Sequence, residues 1–330
     1  MRETGLRLNA VIEKYLSLIV PVSLILGFLL SRSFNGSAAL VPYLFGYLTF
    51  VMATGCSWKQ IREAFRMPVP MLLTFGLCHV LAPMIGYLIG TAAFGEGSPY
   101  VVGFVMFSVI PLGVSSVIWV GLSKGHVPLT LAMIVIDSAL SPLVIPAAIE
   151  AFFGTTIAFD HTKVMMDLVQ IIVVPTILGV LVNELSKGRF KGWSAPVCGP
   201  TSKLAMVIVV MINAAVIQPY VMEMKADMLT VVPLVFLLVA VSYALGFFGS
   251  LWLRKTDIII SVTYSSGMRN ISLGLVLALA YFEPLTAVPV VLSILIQQPM
   301  ASVNRWCMKL YGQSRLYKKI TGAPQSGPLR

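Results

Sequence analysis

Tyr264-Ser-Ser-Gly-Met-Arg-Asn-Ile271 is polar and contains glycine, yet it stands between two apolar runs, each too short to cross a bilayer alone. Read with its flanks, it is a break inside a transmembrane helix. A second such stretch, Pro111-Leu-Gly-Val-Ser-Ser-Val117, lies 154 positions earlier when Gly113 is set against Gly267. The same offset sets Pro21 of Ile-Val-Pro-Val against Pro175 of Val-Val-Pro-Thr, so the chain reads as two repeated halves. Paired interruptions of this kind mark a carrier whose site lies near the bilayer midplane, because unwound backbone there offers its N–H and C=O groups as ligands.

Composition agrees. Of 330 residues, 58% are hydrophobic and 11% charged, against about 25% charged in soluble domains, which makes this an integral membrane protein. The formal charge of +10 does not signal nucleic-acid binding, since the basic residues sit in short loops and the tail, where they set orientation. Met1-Arg-Glu-Thr-Gly-Leu-Arg7 runs into an apolar stretch with no small-residue cleavage site, so it reads as the approach to a first span and not as a removed signal peptide. Cys56, Cys78, Cys198 and Cys307 lack any C-x-x-C spacing and signal neither a zinc site nor a disulfide framework.

At about 20 apolar residues per crossing, spans are expected near 15–31, 38–55, 69–94, 100–123, 127–153, 164–185, 201–221, 228–253, 257–282 and 285–310. Nineteen Lys and Arg fall before the first span, in the even-numbered loops and in the tail, whereas only Arg32, Lys163 and Lys225 lie in the others. That asymmetry puts both termini in the cytoplasm. Five spans per half invert the second half relative to the first. Residues 1–186 are expected to hold the first five-helix repeat and 187–200 a cytoplasmic linker. Residues 201–311 complete the second repeat, which begins with the span at 164–185, and 312–330 form a disordered tail attracted to anionic lipid.

Gly267-Met268 and Asn270, followed by Leu273 and a small-residue helix ending at Pro284-Leu-Thr-Ala-Val-Pro289, together with Pro111 to Gly125, resemble the bile acid:sodium symporter family, as a divergent bacterial-type member. The resemblance runs from about Pro42 to Trp306. It implies an all-α membrane protein of ten transmembrane helices in two inverted five-helix repeats, with a panel and a core domain and with discontinuous fourth and ninth helices crossing in the core. It also implies sodium-coupled uptake of an organic anion. Where sodium-coupled members carry a carboxylate before the Gly-Met, this chain has Ser265; their glutamine after it is Arg269, and the asparagine after the fourth-span Ser116 is Val117. The third-span glutamine falls at Cys78, beside His79, and two fifth-span hydroxyl positions are Thr130 and Ile134. Ser116, Thr130 and Asn270 remain as oxygen or amide ligands. Sodium prefers several oxygens and a compensating negative charge, so a guanidinium in place of the carboxylate opposes it.

Two charged residues fall inside spans, away from the span ends. Asp137 is about ten residues into the fifth, near mid-depth, and Arg269 is in the ninth-span break. Such charges are rare in a membrane unless they pair or line a wet pathway. Asp137 and Arg269 are therefore expected to form a pair, with Arg269 fixed in the vacated cation position and a proton on Asp137 as the coupling ion. A static salt bridge and direct capture of an anionic substrate by Arg269 are the alternatives. The expected ion-coupling set is Asp137, Ser116, Thr130, Ser265, Asn270 and His79, the last as a proton carrier or as an interhelical hydrogen-bonding group. The expected substrate contacts are Arg269, Asn270, Gln297, Gln298 and Ser115. Gln297 and Gln298 match a histidine-asparagine pair beside the substrate in the resembled family.

The expectation is thus a multi-pass transporter of the bacterial inner membrane, monomeric, working by alternating access on a small anionic substrate, with Na+ or H+ coupling and no cofactor. An arsenite efflux permease, a cation/proton antiporter of related fold and a non-transporting receptor are the alternatives. No H-E-x-x-H motif suggests an enzyme.

Overall fold

The computed structural model describes residues 2–34, 36–154, 160–223 and 226–313. Among the described residues every regular element is a helix: α1 (Arg2–Lys14), α2 (Leu16–Leu29), α3 (Val41–Ala53), α4 (Trp58–Phe65), α5 (Pro68–Phe94), α6 (Pro99–Val109), α7 (Ser116–Leu122), α8 (Val127–Phe153), α9 (His161–Leu185), α10 (Arg189–Glu223), α11 (Met228–Ser250), α12 (Thr256–Gly267), α13 (Ile271–Tyr281) and α14 (Ala287–Gln313). Both α5 and α9 contain a π-turn, at Leu77–Leu81 and Val169–Val173. Among the described residues the one strand-like pairing is an antiparallel bridge between Leu112 and Arg269.

Among the described residues six helices are long and apolar enough to cross a membrane: α5, α8, α9, α10, α11 and α14; counting each of two bent pairs, α1 with α2 and α3 with α4, as one span brings the number to eight. The expected fourth and ninth spans each divide into two short pieces. They are α6 and α7, of 11 and 7 residues, and α12 and α13, of 12 and 11 residues, each well below the roughly 20 a crossing needs. The chain thus breaks inside both polar stretches. One boundary differs from expectation: the polar stretch 187–200 is a turn only at Lys187 and Gly188, both with positive φ, and from Arg189 it is helical through Pro196 and Pro200 into α10. Its polarity reported exposure, not coil. Of the expected tail, 312–330, residues from 314 onward lie outside the described residues, as does Lys225 of the expected charge pattern.

The helices pack in two groups. α1, α2, α3, α9 and α10 lie against one another, and α5, α6, α7, α8 and α11–α14 form the second group around the two breaks. Small residues let backbones approach closely in both. A Cβ on Gly27 of α2 would lie 2.3 Å from the Met211 carbonyl oxygen of α10, and one on Gly246 of α11 would lie 2.8 Å from the Thr263 Cα of α12. Gly76 of α5, by contrast, has nothing within 4 Å of such a Cβ. Gly27→Ala should therefore cost about 1–3 kcal/mol through overpacking. Gly76→Ala should be neutral or stabilising by up to about 1 kcal/mol, because it removes backbone freedom without a clash. Thermal melting of the two variants in detergent checks the contrast.

Candidate functional site

The first break begins because Pro111 has no N–H to continue α6 and crowds the residue before it. Ile110 accordingly turns extended, with ψ 149°. The second begins after Gly267, where Met268 is extended and Asn270 leads into α13. The two unwound segments then satisfy each other. Gly113 N–H donates to the Met268 carbonyl and Asn270 N–H to the Pro111 carbonyl, each at 2.8 Å. Only glycine permits that approach at position 113, where a Cβ would lie 2.8 Å from the Arg269 carbonyl oxygen.

Side chains complete the backbone accounting that burial demands. Gln297 of α14 grips the Arg269 residue from both sides: its Oε1 accepts from Arg269 N–H at 2.7 Å and its Nε2 donates to the Arg269 carbonyl at 3.2 Å. The Asp137 carboxylate, 1% exposed, accepts Leu112 N–H on Oδ2 at 2.7 Å, while Oδ1 lies 2.6 Å from His79 Nε2. The expected Asp137–Arg269 pair is therefore not formed. Leu112 N–H fixes one carboxylate oxygen, and the π-turn at Leu77–Leu81 presents His79 to the other. Arg269, 2% exposed, directs Nη2 to the Cys78 carbonyl at 3.5 Å instead. Its Nε and Nη1 have no hydrogen-bond partner, nor do the buried hydroxyls of Ser116, Ser265 and Ser266 or His79 Nδ1.

Between the two helix groups lies a cavity of about 450 Å³. One wall carries Val20, Phe45, Leu48 and Met206; the facing wall is the crossing itself, with Gly113, Ser115, Arg269, Asn270, Gln297 and Gln298. Its polar end is formed by Lys191, Glu13 and Lys203, the last two 3.0 Å apart. Gln298 accepts from Trp119 Nε1 at 2.9 Å and donates to Ser115 Oγ at 3.3 Å. Asn270 precedes α13 without a side-chain cap, Ile271 N–H donates to the Arg269 carbonyl at 3.0 Å, and Ile271 and Ser272 of that first turn line the cavity.

All five expected substrate contacts thus border the cavity, although Gln297 spends both ends of its amide on Arg269. The expected ion-coupling residues do not gather at one point. Asp137 and His79 pair behind the crossing. Thr130 turns its hydroxyl back to the His126 carbonyl of its own helix at 3.3 Å, and Asn270 faces the cavity. Leu112 N–H and Trp119 were not among the expected site groups; a backbone donor leaves no trace in residue type. Among the described residues no three His, Cys, Asp or Glu side chains converge.

Comparison with known proteins completes the description. Residues 42–224 match the model of the Sodium Bile acid symporter family. The uncharacterized protein YbaS of Bacillus subtilis (strain 168) is 33% identical over 92% of this chain and 99% of its own length. The uncharacterized sodium-dependent transporter YocS of the same organism is 25% identical over 82% of this chain and 83% of its own. The probable sodium/metabolite cotransporter BASS2, chloroplastic, of Oryza sativa subsp. japonica is 24% identical over 76% and 59%. With its multiple membrane-spanning helices and this match across more than half its length, the chain belongs to the sodium bile acid symporter family of membrane transporters.

Proposed function

We propose that this protein is an ion-coupled secondary transporter of a small organic anion, with ten spans in two inverted repeats, working by alternating access between the two helix groups. The observation that carries the reading is the pair of broken helices, hydrogen-bonded to each other and facing a cavity between the groups. A cavity of that volume with mostly apolar walls suits a compact organic molecule. The uncapped start of α13, with Ser115, Asn270 and Gln298, supplies donors for a carboxylate, and the helix dipole favours negative charge there. The cavity is bordered by Lys191 and Lys203, on the side that the distribution of Lys and Arg makes cytoplasmic, which supports reading an inward-facing form; on this reading the protein works as a monomer in the plasma membrane.

For coupling, the reading favours a proton on the His79–Asp137 pair. This is the one buried carboxylate among the described residues, and through Leu112 N–H it is joined to the crossing that must move. A cation exchanger would need a carboxylate free to take its ion, and Asp137 has both oxygens engaged, by His79 and by Leu112 N–H. The test begins with a panel of mono- and dicarboxylates screened by thermal melting of the purified protein, followed by uptake of the radiolabelled hit into proteoliposomes. An inward proton gradient is expected to drive accumulation that Asp137→Asn abolishes, while a sodium gradient at equal pH drives none. Accumulation on sodium alone would overturn proton coupling, and accumulation on neither gradient would overturn the coupled transporter.

A further inference from the structure

α1 does not continue the first span but turns by 80° into α2, and Tyr15 is the one non-helical residue between them. With α2 crossing the bilayer, α1 lies nearly in the membrane plane, on the side that the distribution of Lys and Arg makes cytoplasmic. Leu8 and Val11, with Tyr15 just after the helix, follow one another at helical spacing and are 51%, 53% and 48% exposed. At 3.6 residues per turn Arg7 and Lys14 border that face. An apolar stripe edged by basic residues is the pattern of a helix seated among the headgroups of an anionic leaflet.

A second face of α1 is fixed to α10. A Cβ on Gly5 would lie 2.1 Å from the Pro196 carbonyl oxygen, and one on Gly199 would lie 2.6 Å from Asn9 Oδ1, so the helices meet closely at two successive turns. Lys203, its side chain only 15% exposed, lies 3.0 Å from Glu13 Oε1 and donates to Asn9 Oδ1. Asn9 Nδ2 donates to the same Glu13 oxygen at 3.2 Å. A mostly buried ammonium depends on such a partner. Asn9, Glu13, Gly199 and Lys203 all border the cavity, so the clasp that holds α1 to α10 is also part of the cavity's polar end.

We propose that α1 is a membrane-seated latch on the cytoplasmic end of the cavity. Its apolar face rests in the anionic cytoplasmic leaflet, and its polar face, through Asn9, Glu13 and Lys203, restricts passage between the cytoplasm and the crossing. The latch opens when the clasp parts and α1 swings about Tyr15, a movement that leaves both broken helices in place. It rests on the reading of this cavity as the transport path.

The experiment uses the full chain in nanodiscs of equal parts phosphatidylcholine and phosphatidylglycerol, on a background of Cys198→Ser and Cys307→Ser, since Cys56 and Cys78 are buried. A spin label on Val11→Cys should be reached by oxygen and shielded from a water-soluble nickel chelate; the reverse would overturn the membrane seat. Access to the crossing is read from the rate at which Ser115→Cys reacts with a charged maleimide. Glu13→Gln, which removes the charge-assisted part of the clasp, should raise that rate about tenfold. Gly5→Val, which cannot sit against the Pro196 carbonyl, should raise it further, and Ala10→Val, at an exposed position of the same helix, should leave it unchanged. Should Gly5→Val not fold, Glu13→Gln against Ala10→Val carries the comparison. Equal rates in all the folded proteins, or acceleration by Ala10→Val as large as by Glu13→Gln, would overturn the latch. Labelling needs no substrate: accelerated labelling without gradient-driven uptake would sink the transport reading alone, and uptake with equal labelling rates would sink the latch alone.

Discussion

Asp137→Ala is expected to lower the stability of the protein by about 3–5 kcal/mol, the range for removing one partner of a buried charged pair. The size follows from what the carboxylate holds. Its loss leaves Leu112 N–H and His79 Nε2 without partners inside the bundle, and each orphaned buried group costs about 1–3 kcal/mol. It also removes the one buried acidic side chain among the described residues. Asp137→Asn should be milder, at about 1–2 kcal/mol, because the amide oxygen can still accept from Leu112 N–H while the charge-assisted bond to His79 is lost. The two variants separate structure from coupling. Asn is expected to keep the fold and lose gradient-driven uptake, whereas Ala is expected to lose both. A double-mutant cycle of Asp137→Asn with His79→Ala should give a coupling energy of about 1–3 kcal/mol, as for residues in one network. Thermal and denaturant melting in detergent measures all of these. An Asp137→Ala protein that melts with the wild type would mean that the carboxylate does not secure the first break.

The reason Asp137 was legible and its partner was not lies in the kind of information each needs. A charge in an apolar run is visible wherever it occurs, and so is a proline followed by glycine and two serines. Hence Asp137, Arg269 and both breaks could be read from the chain. Which charges meet depends on the azimuth of each side chain about its helix, and the π-turn at Leu77–Leu81 resets that azimuth for everything after it. Cys78 and His79 sit inside this turn, so the carbonyl of one reaches Arg269 and the imidazole of the other reaches Asp137. Nothing in Leu-Cys-His-Val-Leu announces the inserted residue. The same limit explains the stretch 189–200. Polar residues and two prolines read as a linker, but at the end of a bundle an exposed helix face is just as polar, and α10 runs straight through it.

Gln297 and Gln298, adjacent and alike in the sequence, should behave oppositely when each is replaced by leucine. Gln297→Leu orphans the N–H of Arg269 in a site closed to water and removes one of the two donors to its carbonyl, which keeps Ile271 N–H at 3.0 Å, so a loss of about 1–3 kcal/mol is expected. Because those groups belong to the segment that bridges to Leu112, the loss should also lower the turnover of transport, even in protein that remains folded. Gln298→Leu removes bonds to two side chains, Trp119 and Ser115, both of which border or approach the cavity. Its cost to stability should be about 1 kcal/mol. Its main effect should be a raised KM for the organic anion, with a shift in Trp119 fluorescence as the indole N–H loses its acceptor. Melting, uptake kinetics and emission spectra on the two variants distinguish a residue that holds the broken helix in register from one that faces the substrate. Equal losses of stability in both would remove that distinction and return Gln297 to the substrate-contacting role its position in the chain suggests.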